Sequence, residues 1–168
     1  MRRVFDIFVE GLDEPMRVVS NPTADDLLDA RERAMLKTWR QANFKRGGGV
    51  PRRGELAGPF LDELTPNLMD LDMLPDGDFR YARCGEAVAS AFGGNVVGRK
   101  TSELPSPIAN VFLSVYRLAL KHPMPYSTRH RSPHDRVGYW HRLIVPVAPE
   151  LGAGARGFLV CSLPIGDQ

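Results

Sequence analysis

This chain of 168 residues has little cysteine and almost no net charge, and it contains no long apolar run. Its two cysteines, Cys84 and Cys161, stand among apolar neighbours, which favours small buried thiols in a reducing cytoplasm over a disulfide. No apolar run approaches the ~20 residues that a membrane span needs, and residues 1–10 do not resemble a signal peptide. The formal charge of +2 is too small to indicate nucleic acid. We therefore expect a soluble, cytoplasmic protein.

The usual catalytic motifs are missing as well. There is no Gly-x-Ser-x-Gly elbow for a serine nucleophile, and the glycines at 47–49 lack the Gly-Lys-Ser/Thr that completes a P-loop. His130 and His134, with Asp135 beside them, have the spacing of metal ligands on a helix. The Ser-Pro pair at 132–133 predicts a turn between them, which favours surface histidines. The sequence therefore predicts no enzyme and no metal site.

The composition, 43% hydrophobic and 25% charged, is that of one globular domain with appendages. Residues 1–22 form an N-terminal arm. Residues 4–9 are rich in strand-forming side chains, whereas Gly11 and Pro15 interrupt the pattern, so both a strand and a partner-seeking tail remain open.

A helical segment is predicted at 23–46. Thr23 can cap its start, Asp25 and Asp26 suit the positive end of the helix dipole, and the helix should continue to about Asn43. Apolar side chains recur at near-helical spacing along it. The main ones are Leu27, Leu28, Met35 and Trp39.

The glycines at 47–49 and the following proline end this helix and join it to the remainder of the chain. Basic residues surround the joint: Lys45, Arg46, Arg52 and Arg53. They could contact phosphate oxygens, but a solvated basic loop is the simpler interpretation.

The segment from 67 to 164 is predicted to form two strands, helices and three further strands. The first two strands, 68–74 and 79–84, flank turn chemistry at 75–78. A short helix at 85–92 and a longer one from 106 or 107 to Lys121 follow. The last strands are predicted at 124–131, 138–147 and 157–163.

Arg83 is the unusual residue of the second strand. If Phe79 and Tyr81 face inward, Arg83 shares their face, where an unpaired guanidinium is costly to bury. The alternative is that Arg83 emerges at the strand's end and pairs with a carboxylate.

Several blocks of the sequence resemble the corresponding blocks of a bacterial PAS-domain subfamily that has an N-terminal Trp-containing helix. They are GGVPRRGEL at 48–56, LTPNLMDL at 64–71, FRYARCGEAV at 79–88, FGGNVVGRKTSEL at 92–104 and RLIVPV at 142–147. The likeness covers roughly residues 36–163, and Arg83 departs from it because the family usually carries an apolar or aromatic residue there.

The resemblance implies an α+β fold: a five-stranded antiparallel sheet of order 2-1-5-4-3 with helices on one face, in a domain spanning 47–168. It also implies an N-terminal helix that often mediates pairing. Some PAS domains place a haem ligand on the central helix, which makes His122 a candidate; the alternative is a helix-end residue favoured by the dipole. No other cofactor is indicated.

The leading hypothesis is a non-catalytic sensory module that binds a small molecule or a protein. Alternation along the strands gives the candidate lining residues, with Trp140 on the opposite register. They are Met73, Tyr81, Arg83, Tyr116, Tyr126 and His141. We expect no output domain after Leu163, unless the chain is part of a longer protein, so the signal is expected to pass to a separate signalling protein.

Two other hypotheses remain open. One is a structural homodimer with a filled core, in which Leu28, Met35 and Trp39 meet their counterparts. The other is nucleic-acid binding through the basic residues around the glycine joint, which would require affinity that falls steeply with salt.

Overall fold

The computed structural model describes residues 1–132, 138–152 and 154–166. They form an α+β fold with one seven-stranded sheet. The strands are β1 (Arg3–Ile7), β2 (Met16–Ser20), β3 (Leu68–Met73), β4 (Phe79–Cys84), β5 (Tyr126–Arg131), β6 (Tyr139–Val147) and β7 (Gly157–Ile165). The helices are α1 (Ala30–Lys45), α2 (Pro59–Leu64), α3 (Glu86–Ala91) and α4 (Ile108–Lys121).

The strands lie in the order β1-β2-β5-β6-β7-β3-β4, and every neighbouring pair is antiparallel. The five strands predicted between residues 68 and 163 are all present. The N-terminal arm adds β1 and β2, which extend the sheet beyond β5, so the arm is strand rather than tail.

The two edges of the sheet differ. At the β4 edge, Tyr81 N–H donates to the Arg99 carbonyl at 3.1 Å and its carbonyl accepts from Gly98 N–H at 2.8 Å, so a loop covers the strand. Within the described residues, β1 pairs with β2 alone and its outer edge is free of any strand. Such an edge can template pairing with another chain.

Helices cover both faces of the sheet, because successive strand residues point to opposite sides. On β6, Ile144 belongs to the core beneath α4, whereas Leu143 and Val145 belong to the core beneath α1 and α2. The predicted five-stranded sheet with helices on one face is therefore corrected to seven strands with helices on both. Apolar residues on both sides of β6 explain why it is buried along nearly its whole length.

Helix α1 begins later than predicted. Asp29 caps it by accepting from the backbone N–H groups of Arg31 and Glu32, while Thr23 instead begins a short 3-10 turn at 24–26. The helix lies on the sheet through Trp39, whose indole N–H donates to the Pro146 carbonyl at 2.8 Å. Its apolar face is thus buried inside the chain.

Candidate functional site

A row of three polar side chains crosses the sheet beneath α4. Thr128 on β5 and Ser162 on β7 lie directly opposite Arg142 on β6, and so all three point to the same face. Their exposed fractions are 2% for Thr128, 3% for Arg142 and 0% for Ser162. The row therefore places a guanidinium inside the buried core beneath α4.

Arg142 makes two described contacts. Its Nε donates to Ser162 Oγ at 3.0 Å, and its guanidinium carbon lies 3.8 Å from the centre of the Phe112 ring on α4. No carboxylate of the described residues lies within the 4.0 Å of an ion pair with Arg142. Burial lowers the pKa of Arg142 to about 10, so the group is charged at neutral pH.

Three further polar groups are buried near this charge: the hydroxyls of Tyr81 and Tyr116, and Nδ1 of His130. None makes a hydrogen bond of ordinary geometry, although the Tyr81 hydroxyl lies close enough to the hydroxyls of Thr101 and Tyr116 to interact with them. Burial raises the pKa of Tyr116 to about 12 and that of Tyr81 well above its usual value, so both phenols stay neutral. Burial, reinforced by the charge of Arg142, holds the pKa of His130 far below its usual range. His130 is therefore a neutral imidazole at pH 7.

Phe112 is the centre of this cluster. Its ring centroid lies 6.3 Å from that of His130 and 6.1 Å from that of Tyr116. Tyr116 in turn stacks on Phe158 at 5.3 Å and meets the edge of Phe79 at 5.3 Å. Aromatic rings thus separate the polar groups from solvent.

The interior beside Arg142 is tightly packed. The gap that remains there has no room for a water molecule. Its lining residues are Met16, Val111, Phe112, Val115, Tyr116, Thr128, Arg142 and Ile144. Arg142 is the one charged residue among them, so a guest must displace side chains or shift α4 to reach it.

The arrangement offers donors to an anion and no nucleophile. A guanidinium and two neutral phenols can all donate hydrogen bonds. Within the described parts of the chain, no group of three or more His, Cys, Asp or Glu side chains is arranged to hold a metal ion. We refer to Arg142, Tyr81, Tyr116 and His130 as the buried polar cluster.

Four of the six predicted lining residues lie at the core beneath α4. Tyr81, Tyr116 and Tyr126 are buried in it, and Met73 packs against it. Arg83 does not reach it. Its side chain is 70% exposed and pairs with Asp70 at 3.0 Å, as the alternative interpretation anticipated.

His141 is on the other face, because the alternation along β6 is offset by one residue from the prediction. Its Nδ1 lies 2.9 Å from Oε1 of the fully buried Glu32, and its Nε2 lies 3.2 Å from the Asp26 carbonyl oxygen. Trp140, assigned to the opposite register, shares the face of Arg142 because the two are two residues apart on one strand. His141 therefore links the α1 segment to the sheet.

Arg142, Thr128 and Ser162 were absent from the predicted set. The signal that could have found them is the register of β6, since Trp140 facing α4 brings Arg142 to the same side. The sequence could not choose between the registers, because Leu143 and Ile144 are equally apolar.

The two histidines predicted to lie at the surface have different outcomes. His130 is 4% exposed, so that prediction is wrong for it, because β5 turns this side chain under α4. His134 and Asp135 lie outside the described residues. His122 is exposed at the end of α4, where its carbonyl accepts from the Tyr126 hydroxyl at 3.1 Å.

Of the expected dimer residues, Met35 and Trp39 are 1% and 5% exposed, and only Leu28 is accessible, at 46%. The surface expected to meet a second copy is therefore occupied by the protein's own sheet. The basic residues around the glycine joint are partly neutralised as well. Arg46 lies 3.2 Å from a Glu55 oxygen, and Arg53 pairs with Asp70.

A second concave region lies at the free edge of the sheet. It is an open groove of about 800 Å³ between β1 and the end of α4. Its lining residues are Met1, Arg3, Val4, Phe5, Ser20, Leu118, His122, Met124 and Tyr126. The size of the groove and its apolar lining suit either a ligand or a protein segment.

Comparisons with models of protein families, with curated proteins and with solved structures give no match. None of the helices in the described ranges is both long and apolar enough to span a membrane.

Proposed function

We propose that the chain is a non-catalytic regulatory module of the PAS type, which binds a small molecule between α4 and the sheet. The strand order supports this proposal. Counted without the two N-terminal strands, the sheet runs β4-β3-β7-β6-β5, and this is the 2-1-5-4-3 order expected of a PAS domain. A reducing cytoplasm suits its two free thiols, Cys84 and Cys161.

The observation that carries the proposal is the buried guanidinium of Arg142. A charge inside a protein is normally paired, because its removal from water costs on the order of several kcal/mol. Here one hydroxyl and one aromatic face are its described contacts, and the phenols of Tyr81 and Tyr116 are buried in the same core. Packing alone would be served better by an apolar side chain of similar length. A bound polar ligand would explain why a charged residue occupies this position in the core.

Tight packing also gives binding a consequence. A guest beside Arg142 requires a second arrangement of α4 and its rings, and a ligand favours whichever arrangement it binds better. Tyr116 and Phe112 lie on α4, so their displacement would move that helix relative to β6. Binding would thereby change the outer surface of the domain that a signalling partner contacts.

Methyl NMR tests this function. Protein with labelled methyl groups is mixed with the fraction of a bacterial extract below about 1 kDa. We expect shifts at Val111, Val115 and Ile144, beneath α4, and none at Leu143 and Val145 on the α1 face, which serve as internal controls. Extracts that move neither set would contradict small-molecule binding.

A second candidate function is protein interaction with a filled core. The free edge of β1 favours it, because Val4, which lines the apolar groove, is 45% exposed and Phe8, directly after β1, is 85% exposed. A strand from a partner or a second copy could extend the sheet there. A homodimer of this kind would use β1 rather than α1.

A further inference from the structure

We propose that the guest of the buried polar cluster is a small monocarboxylate with an apolar body, whose carboxylate pairs with Arg142. This inference rests on the proposed function and names its ligand class. It follows from three features of the described core: one uncompensated charge, neutral donors around it and apolar walls.

The charge of Arg142 selects an anion. Its described hydrogen bond uses Nε, so the terminal N–H donors of the guanidinium are the ones that a planar oxyanion would engage. A carboxylate matches this fork with two parallel hydrogen bonds. A neutral guest that filled the same space would leave the charge of Arg142 uncompensated.

The surrounding polar atoms agree with an anion. Tyr116 lines the gap, and the Tyr81 hydroxyl lies close to the Tyr116 hydroxyl; both are buried and neutral, so a shift of the rings would let them donate to an oxygen that Arg142 attracts. No carboxylate side chain lines the gap, so nothing there would repel the guest's charge.

The lining favours a single negative charge. Of the eight lining residues, one is charged, and five are aliphatic or sulfur-containing side chains or the ring of Phe112: Met16, Val111, Phe112, Val115 and Ile144. A second carboxylate would be buried against these groups without a cation, which is costly. An aliphatic or aromatic body would instead gain from the contact.

The experiment compares three acids with their uncharged amides: acetate, butyrate and benzoate against acetamide, butyramide and benzamide. Thermal unfolding is followed at constant ionic strength, because a bound ligand raises Tm in a saturable manner. We expect at least one carboxylate, and no amide, to raise Tm. Succinate should bind at least tenfold more weakly than the best monocarboxylate.

Variants locate the site. Arg142→Met should abolish the saturable response, and Arg142→Lys should weaken it at least tenfold, because lysine keeps the charge but loses the fork. Arg129→Met, on the exposed face of β5, is the matched control and should respond as the parent does. Since Arg142→Lys keeps the charge and the amides test the native chain, the outcome does not depend on the folding of Arg142→Met.

The possible failures are distinguishable. If amides raise Tm as well as acids do, or if Arg142→Lys responds like the parent, the carboxylate assignment is wrong. Shifts at Val111 and Val115 with a neutral compound would still support the proposed function. If no acid gives a saturable response while a compound from the extract moves those methyl groups, the ligand class alone is overturned.

Discussion

The guanidinium of Arg142 lies against the ring of Phe112, 3.8 Å from its centre, and this contact joins the middle of the sheet to α4. A cation on an aromatic face is stabilised by the ring, by roughly 2 kcal/mol when both are desolvated. This stabilisation is smaller than the cost of burying an unpaired charge, which is on the order of several kcal/mol. The contact is therefore a point where a ligand that compensates the charge can alter the packing of α4.

Replacing the charge should stabilise the protein in a buffer free of carboxylates. We expect Arg142→Met to raise the free energy of unfolding by about 1–3 kcal/mol, because an apolar side chain removes the desolvation cost. Urea denaturation measures the change. Arg129→Met, as an exposed control, should lose no more than about 1 kcal/mol, the value of its exposed contact with the Tyr139 ring. A loss of stability in Arg142→Met larger than in the control would contradict the view of Arg142 as an internal cost.

His130 should make stability depend on acid pH. Its pKa in the folded state is held well below the unfolded value of about 6.5, so the unfolded chain binds the proton first. Stability contributed by neutral His130 is complete above about pH 6.5 and falls by up to about 1.4 kcal/mol per pH unit below it.

Denaturation curves between pH 7 and pH 4 check this dependence. His130→Phe should remove that part of the slope, whereas a matched change at the exposed His122, His122→Phe, should leave it. Equal slopes for the parent and His130→Phe would show that another group is responsible.

The attachment of α1 should depend on the buried Glu32. Its carboxylate accepts from Leu28 N–H at 2.8 Å and lies 2.9 Å from His141 Nδ1, so Glu32→Ala leaves the Leu28 N–H and Nδ1 of His141 without this partner. We expect a loss of stability, because each buried group left without its hydrogen-bond partner costs about 1–3 kcal/mol. Glu63→Ala, an exposed carboxylate on α2, is the control and should change little. Equal Tm values for Glu32→Ala and Glu63→Ala in thermal unfolding would argue against a structural role for the Glu32 contact.

Assembly, where it occurs, should use β1. Lysine on an edge strand opposes strand pairing, so Val4→Lys should convert a dimer to a monomer in light scattering. Phe44→Lys removes a more accessible apolar side chain, 85% exposed against 45% for Val4, at the far end of α1 and should not. A dimer that survives Val4→Lys but not Phe44→Lys would move the interface to α1.

Local patterns predicted the elements well where each had a single strong signal. The alternation of Leu68–Met73 and the stripe of Ile108–Lys121 identify β3 and α4, because each buries one face. The arm was ambiguous, since β1 and β2 gain their stability from pairing with β5, and such long-range pairing leaves no local mark. The α1 face was read correctly as apolar, yet sequence does not reveal whether a sheet or a second copy covers it.

The site was harder to predict for the same reason. Tyr81 and Tyr116 were expected in the core because aromatic residues at alternating or helical spacing indicate burial. Arg142 was missed because both faces of β6 are covered, which removes the polar alternation that normally fixes a strand's register. A charged residue within such a strand is the signal that remains, and only the register shows which face of the sheet it lies on.

A crystal structure of the parent protein grown with saturating benzoate tests the central claim most directly. The account predicts the carboxylate within hydrogen-bond distance of the Arg142 guanidinium, about 2.7–3.0 Å, with Phe112 and α4 displaced to admit the ring. Crystals that hold benzoate at saturation elsewhere, with Arg142 still lying against Phe112, would contradict it.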